Sequence, residues 1–238
     1  MARKLKEEYE NWGLKINLNK SSYLCIGEEV EPLKFENGQE IPPCSEYTYL
    51  GTKIDKFGNN TTEINNRIAQ TKKAINSLNS IWWNKNITKN RKLQIYRTIV
   101  QSILIYGSEV WQIPHRETSK FLALEMDVLR RSARKSRLEK IRNENVKEIM
   151  GVKGELDILD IIEQKRLCWY GHVKRMPDNR LPKLIMEWVP PERKKRGRPK
   201  KTWLEGVATA MKSKDLEEDM WEDREKWRLG TGKRRQLL

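Results

Sequence analysis

The sequence predicts a mainly α-helical chain with a small α+β portion at its N-terminus. Candidate strands and tight turns are confined to residues 1–57, whereas later apolar residues recur at spacings of three and four, as on one face of a helix. Apolar residues make up 37% of the 238 residues and charged residues 34%, a leaner and more ionic composition than that of an average globular chain. A modest core with a broad solvated or ligand-covered surface is therefore expected.

The N-terminal portion is predicted to open with a helix over residues 1–12, ended by Gly13 in the left-handed conformation that closes many helices. Two short strands, Leu14–Leu18 and Tyr23–Ile26, are predicted on either side of a polar turn. Asn37-Gly38 then predicts a β-hairpin, because this dipeptide favours the two-residue turns that join antiparallel strands.

The segment Glu46–Asp55 is predicted to be one short strand that closes this portion. Tyr47, Tyr49 and Ile54 are large side chains that a pleated surface accepts well. Gly51 interrupts the pattern and predicts a bulge, or a place where another backbone comes close.

Helices are predicted through the remainder of the chain, with starts marked by capping side chains and ends by glycine or proline. In chain order they run over 60–82, 88–107, about 118–135, 143–151 and 157–176, and then from Thr202 and from Asp215. The second of these has little polar face and is predicted to be the most buried helix.

Changes in composition divide the chain into five predicted segments. They are an α+β segment over 1–57, a helical segment over 58–138, further helices over 139–176, a basic proline-containing linker over 177–201, and terminal helices over 202–238.

The charge of the chain predicts a polyanionic partner. The formal net charge is +15, the isoelectric point lies near 9.7, and the basic residues are clustered. Nucleic acid is favoured over a membrane, because no apolar run approaches the ~20 residues that span a bilayer and no signal peptide is evident. Three widely spaced cysteines predict free thiols in a reducing compartment.

Several motifs occur in an order that is typical of one protein family. They are Trp12-Gly13-Leu14-Lys15-Ile16-Asn17, Asn17-x-x-Lys20-Ser21, Tyr49-Leu50-Gly51, Tyr106-Gly107-Ser108-Glu109-x-Trp111, Arg142-Asn143-Glu144, Trp169-Tyr170-Gly171-His172-Val173-x-Arg175-Met176 and Arg196-Gly197-Arg198-Pro199-x-x-x-Trp203. Each motif alone is weak. Together they cover nearly the whole chain, which resembles the C-terminal part of a non-LTR (LINE-like) retrotransposon endonuclease–reverse transcriptase.

This resemblance implies that residues 1–57 are the end of a polymerase palm and residues 58–138 a thumb that lies along an RNA–DNA or DNA duplex. The resembling enzymes use an acidic triad that holds two Mg²⁺ ions for nucleotidyl transfer. Those carboxylates, with the fingers and the endonuclease domain, are expected upstream of Met1, because the acids present here lie at predicted helix caps or in solvated runs. We therefore expect a duplex-binding chain that lacks catalysis alone and has no cofactor of its own.

Two sites near the N-terminus follow from the resemblance. Lys20 corresponds to the motif D lysine, which approaches the incoming triphosphate and donates a proton to the leaving pyrophosphate. Tyr49, Leu50 and Gly51 correspond to the primer grip, which holds the primer's sugar-phosphate near its 3′ end. The plainer interpretations are a solvated turn lysine and an ordinary edge strand.

If residues 58–138 are a thumb, seven basic residues become candidates for contacts with phosphates. Such contacts position a duplex without reading its sequence. They are Arg67, Lys72, Lys73, Arg130, Arg131, Arg134 and Arg137. A run of charge can also be only a solvated face. No acid is expected to offset the arginines from Arg130 to Arg137, which favours phosphate contact there.

Arg196, Gly197, Arg198 and Pro199 match the core of an AT-hook, in which two arginines lie in the narrow minor groove of A·T-rich DNA. The surrounding basic run also has the composition of a nuclear localisation signal, which predicts a nuclear protein that passes through the cytoplasm. The alternative for this run is a flexible basic linker. Cys168 and His172 lie four residues apart, but two ligands do not define a metal site, and packing is the favoured interpretation.

A second function remains open at this point. The chain fits a non-enzymatic DNA-binding or interaction protein derived from a retrotransposon, acting through its basic helices and the hook-like segment. The two functions differ in whether the reading frame continues upstream into the fingers, the palm and their metal-binding aspartates.

Overall fold

A computed structural model describes residues 2–26, 31–35, 38–188 and 201–234. The described chain is mostly helical and contains two small antiparallel sheets, which confirms the predicted mainly α class. It forms two compact units, residues 1–66 and residues 67–238.

The helices are α1 (Ala2–Asn11), α2 (Thr61–Ser77), α3 (Asn79–Trp83), α4 (Lys89–Ile95), α5 (Ser102–Leu104), α6 (His115–Ser132), α7 (Asn143–Met150), α8 (Ile158–Lys174), α9 (Leu181–Glu187), α10 (Trp203–Ser213) and α11 (Arg224–Thr231). A π-helical turn, Tyr96–Gln101, joins α4 to α5, and 3-10 turns cover Leu18–Lys20, Ser108–Val110, Arg137–Glu139 and Glu218–Glu222. The strands are β1 (Leu33–Lys34), β2 (Glu40–Ile41), β3 (Glu46–Tyr49) and β4 (Thr52–Asp55).

The first unit begins as predicted. Helix α1 ends at Asn11, and Gly13 follows in the left-handed conformation with a φ of +71°. The Leu14 N–H donates back to the carbonyl of Tyr9 at 2.8 Å, a bond that satisfies one of the helix's free carbonyls. The hairpin predicted at Asn37-Gly38 is confirmed by the antiparallel pairing of β1 with β2, in which Leu33 faces Ile41.

The strands predicted at Leu14–Leu18 and Tyr23–Ile26 are wrong. Only an isolated bridge between Tyr23 and Pro43 forms there, and the Asn17 side chain accepts from the Lys20 N–H to close a 3-10 turn. Short segments become strands only where another strand pairs with them, and the apolar alternation could not show whether a pairing strand lies nearby.

The single strand predicted over Glu46–Asp55 is in fact a hairpin. Strands β3 and β4 pair antiparallel, with Tyr49 opposite Thr52. Leu50 and Gly51, with φ values of +47° and +79°, form the two-residue turn between them. Glycine accepts this conformation at no cost, whereas leucine rarely adopts it, and for that reason the sequence pattern indicated a bulge instead of a turn.

Polar side chains fasten the start of α2 to this hairpin. The Glu63 carboxylate accepts from the Lys53 backbone N–H at 2.7 Å, and the Asp55 carboxylate accepts from the Thr62 hydroxyl at 2.6 Å. Glu63 thereby satisfies a backbone donor on β4, which fixes where the helix leaves the sheet.

The second unit contains the remaining helices, and several of their predicted caps are confirmed. Thr88 caps α4, Asp157 caps α8 in a reciprocal pair with Asp160, and Thr202 caps α10 in the same manner with Glu205.

The helix predicted to be most buried is not. In the segment from Thr88 to Gly107 the side chain of Ile99 is 43% exposed, and an outward face remains along the helix. Helix α8 is more enclosed, because α10, α11 and the 3-10 turns at Ser108–Val110 and Glu218–Glu222 pack against it. The number of apolar residues in a helix therefore did not predict which helix is the most buried.

Two further predictions change at the C-terminal end. Asp215 has a φ of +52° and ends α10, with the Leu216 N–H donating to the Met211 carbonyl at 3.0 Å. The last helix starts only after Asp223, whose carboxylate accepts from two backbone N–H groups of the first turn. Helix α9, within the predicted linker, was missed because Pro182 was taken as a break, although proline is well tolerated in a first helical turn.

Two apolar clusters hold this unit together. One joins α4, α6 and α7 around buried Leu93, Leu129 and Val146. The other joins α8, α10 and α11 around Leu167 and Trp227.

Candidate nucleic-acid interface

A groove of about 790 Å³ lies between α2–α3 and α6 in the second unit. Six of its lining residues are basic. They are Lys72, Lys120, Arg130, Arg131, Lys135 and Arg137. Among the described residues that line it, Asp127 is the one acid. The groove therefore brings together Lys72, Arg130, Arg131 and Arg137 from the sequence-predicted set, and it carries the field that a polyanion requires.

The end of α6 explains why its cations converge on the groove. Arg130 and Arg131 lie in the last turn, where the partial negative charge of a helix C-terminus favours cations. Arg134 adopts a φ of +56°, and the Lys135 N–H donates to the Arg130 carbonyl at 2.9 Å. This reversal directs the chain back along the helix, so Lys135 and Arg137 line the same groove as the helical arginines.

The Asp127 carboxylate pairs with two of these arginines. It lies 3.0 Å from the Arg131 guanidinium and 3.4 Å from that of Arg137. The expectation that no acid offsets this basic run is therefore wrong, because the offsetting acid lies one helical turn before it. Arg131 also donates to the Asn79 side chain at 2.8 Å, which ties α6 to α3 across the groove.

Arg130 lines the groove and also connects α6 to the start of α7. Its guanidinium donates to the Ile141 carbonyl at 2.6 Å and to the Asn143 side-chain oxygen at 2.8 Å. These bonds hold the start of α7 against α6. Arg130 and Arg137 also line an adjoining depression of about 470 Å³.

The other groove cations differ in how firmly acids hold them. Lys120 pairs with Glu117 at 2.6 Å and Lys135 with Glu139 at 3.0 Å. Lys72 is exposed and makes no ion pair with the described residues. Trp83 lines the groove and is 41% exposed, which offers an aromatic face beside the cations.

Three of the predicted phosphate-contacting residues lie outside the groove lining. Arg67 is 7% exposed, and its guanidinium lies 4.5 Å from the ring centre of Tyr106, a cation–π contact. Lys73 and Arg134 are exposed. The spacing of Arg67 along α2 could not show that Tyr106, distant in the sequence, packs against its guanidinium.

The two N-terminal candidate sites are exposed. Lys20 ends the 3-10 turn of residues 18–20, where its backbone is held by Asn17. Tyr49 and Leu50 are 60% and 75% exposed at the tip of the β3–β4 hairpin, and Gly51 forms its turn.

The hook-like residues Arg196, Gly197, Arg198 and Pro199 lie outside the described residues. Cys168 and His172 are both exposed, and the His172 ring packs against Trp169 with centres 5.7 Å apart. In the described ranges, no group of three or more histidine, cysteine or acidic side chains is placed to hold a metal ion. Within the same ranges, no helix has the length and apolar content needed to cross a membrane.

Sequence reasoning missed several parts of the groove. Asp127 and Arg131 had the i, i+4 spacing of a helical ion pair, a signal that was available. Lys120, Asn79 and Trp83 had no such signal, because only the packing of α3 on α6 brings them to one groove.

Comparison with known proteins gives one relative. Over 249 residues the chain is 26% identical to an uncharacterized transposon-derived protein of Caenorhabditis elegans, and the alignment covers 95% of this chain and 86% of that protein. No protein-family model and no solved structure matches the chain. The similarity supports a transposon origin for the chain.

Proposed function

We propose that this chain is the nucleic-acid-binding C-terminal part of a retrotransposon RNA-directed DNA polymerase and that it holds an RNA–DNA or DNA duplex. The groove between α2–α3 and α6 is the observation that carries the proposal, because six cations from α2, α6 and the turn after α6 line it against one acid. The relative's transposon origin agrees with it.

The contacts within the groove favour binding to a phosphate backbone. The Asp127 pair and the Asn79 bond hold the Arg131 guanidinium in one position, which lowers the entropy that a phosphate contact would cost. Lys72 supplies an exposed ammonium on the opposite wall. Contacts between cations and phosphates carry no base identity, so binding is expected to be independent of sequence.

The remaining candidate sites take their roles from the same proposal. The exposed β3–β4 tip would contact the primer backbone, and Lys20 would serve the triphosphate in an intact polymerase, whose Mg²⁺ ions would be held by other residues. The chain alone is proposed to lack catalysis. This proposal agrees with the positions of Asp55, Asp157, Asp160 and Asp223, whose carboxylates accept hydrogen bonds at the starts of helices.

A second candidate function rests on the hook-like run. A protein derived from a retrotransposon and working only as a nuclear DNA-binding protein would use Arg196 and Arg198 in the minor groove of A·T-rich DNA. Purified chain that binds duplex mainly through residues 190–203, and that binds equally well without the groove cations, would favour this function.

Fluorescence anisotropy with a 20-base-pair hybrid, about two helical turns long, tests the first function. The double variant Lys72→Gln, Arg137→Gln removes two exposed groove cations. Lys212→Gln, Arg228→Gln removes the same charge from the exposed faces of α10 and α11. We expect the groove variant to bind at least about tenfold more weakly and the control to lose less than about twofold. Equal losses in both would overturn the groove as the binding site.

Primer extension addresses the proposed lack of catalysis. The purified chain should incorporate no nucleotide with any template–primer and Mg²⁺. Extension that disappears when one acid of this chain is replaced by its amide would contradict the proposal.

A further inference from the structure

A second cavity, of about 610 Å³, opens in the second unit on the side of α6 that carries Glu125. Its volume falls within the range of small-molecule sites. Its walls come from α4, the π-helical turn, α6, α7, the loop between α7 and α8, the start of α8 and the residues after α11. It shares no lining residue with the basic groove.

The π-helical turn Tyr96–Gln101 is the first indication that this cavity has a function. Such turns interrupt α-helices rarely and often at functional sites. Here the widened turn sets Tyr96 and Gln101, five residues apart, on the same wall of the cavity. Both residues are more than nine-tenths buried.

Glu125 supplies the second indication. This side chain is 7% exposed, and its Oε1 accepts from the Tyr96 hydroxyl at 3.4 Å. Its Oε2 makes no hydrogen bond of good geometry among the described residues, although the Ile158 N–H lies near this carboxyl group, and the residue lines the cavity. A buried carboxyl oxygen without a partner is costly, and a ligand or water that fills the cavity would satisfy it.

The opening of the cavity is basic, in contrast to the acidic Glu125 inside it. Arg97, Lys147 and Arg234 line it and remain partly exposed. The Arg97 guanidinium is held at the opening by an ion pair of 2.5 Å with Glu155. The Arg234 guanidinium lies 4.0 Å from the Asp160 carboxylate, and the buried Asp157 also lines the cavity. Lys147 makes no ion pair with the described residues, and its ammonium favours an anionic group at the opening.

We propose that this cavity binds a single nucleotide, with its base against Tyr96, Gln101 and Glu125 and its phosphate at Arg97, Lys147 and Arg234. A planar base suits walls that alternate apolar side chains, such as Leu93, Leu129 and Ile161, with a few convergent polar groups. The nucleotide has two possible sources, a free nucleotide or an unpaired residue of a nucleic-acid strand, and both present the same chemistry.

Calorimetric titration of the full chain with each of the four nucleoside monophosphates tests the site, with adenosine and inorganic phosphate as partial ligands. At least one monophosphate should bind saturably, and each partial ligand should bind at least about tenfold more weakly. Gln101→Leu and Arg97→Gln should each weaken the nucleotide about tenfold or more. Arg91→Gln is the matched control, because Arg91 is exposed on the same helix outside the cavity lining.

Two results would overturn the site: no saturable binding of any monophosphate up to about 10 mM, or binding that Arg97→Gln leaves unchanged. Arg97 is an exposed position, so its variant decides the matter even where Gln101→Leu fails to fold. Comparison with an oligonucleotide that carries an unpaired 5′-phosphorylated end separates the two sources, since tighter binding of the strand with the same dependence on Arg97 identifies the strand. The Lys72→Gln, Arg137→Gln variant should retain nucleotide binding, which keeps this test independent of the groove.

Discussion

Asp127 and Arg131 form an ion pair of 3.0 Å one turn apart on α6, at the centre of the basic groove. The pair orients the arginine, but it also places a negative charge where the proposed ligand has its phosphates. The Asp127 carboxylate therefore has two opposite effects on duplex binding: it orients Arg131, and it repels the phosphates.

Replacing this carboxylate by Asn separates the two effects. Asp127→Asn keeps a hydrogen-bond acceptor for Arg131 and removes the repulsion between the carboxylate and a phosphate. We expect duplex affinity to rise about threefold to tenfold at low salt, with the gain falling as salt screens it. Lower affinity in an anisotropy titration would show that orientation of the arginine outweighs repulsion.

Glu125 should make stability depend on pH. Burial, and then the charge of Asp157, raise the pKa of Glu125 from 4.5 to about 7. The folded protein therefore keeps a proton that the unfolded chain loses above pH 4.5. Stability should fall as pH rises from there towards 7, by up to about 3 kcal/mol, and then level off.

Glu125→Gln provides the control for that pH dependence. This variant should lose most of the dependence in denaturant titrations and be the more stable form above pH 7. Identical pH profiles for the two proteins would contradict the predicted burial of this carboxyl group.

Gly171 permits the closest approach between α8 and α11. A Cβ atom at Gly171 would lie 2.3 Å from Nε1 of Trp227, a buried ring that donates to the Leu167 carbonyl at 3.0 Å. Gly171→Ala should destabilise the protein by about 1–3 kcal/mol, although alanine ordinarily favours a helix over glycine.

Gly206→Ala is the comparison for this substitution. A Cβ atom at Gly206 in α10 would meet the end of the Gln112 side chain at 2.6 Å and the guanidinium of the buried Arg166 at 3.0 Å, and the ends of these flexible side chains can shift more readily than the Trp227 ring. Thermal unfolding should therefore show a smaller loss for Gly206→Ala than for Gly171→Ala. The reverse order would contradict the packing of α11 on α8.

Local signals predicted much of this fold because the residues that start and stop helices act over a few positions. Thr88, Asp157 and Thr202 are examples, since each side chain bonds to the first turn of its own helix. Leu50 shows where such signals fail, because its φ of +47° is imposed by the pairing of β3 with β4 and not by its own preference.

The candidate site depended more strongly on tertiary structure. The basic run at the end of α6 was visible in the sequence, but its partner Asp127 and the facing wall of α2–α3 were not connected to it. Arg67 lies on α2 like the exposed Lys72 and Lys73, but its side chain is buried against Tyr106. Burial of a charged side chain follows from what packs over it, which one helix's periodicity cannot reveal.

The hook-like run makes a prediction of its own. A peptide of residues 190–203 should prefer an A·T-rich duplex, because Pro199 favours an extended backbone at Arg198 and Gly197 lets both arginines lie along a narrow groove. A peptide of the same composition with Gly197 and Pro199 moved should keep its non-specific affinity and lose the preference. Equal binding of the native peptide to A·T-rich and G·C-rich duplexes would identify the run as a basic linker.

The salt dependence of duplex binding tests the central claim, that the groove binds phosphates, most directly. With about five phosphate contacts, log K should fall against log salt with a slope of roughly −4 to −5 for B-form DNA. The Lys72→Gln, Arg137→Gln variant should flatten this slope by about two, while Lys212→Gln, Arg228→Gln should leave it unchanged. A groove variant that remains folded and keeps the full slope would contradict the account, because its lost cations would then have met no phosphate.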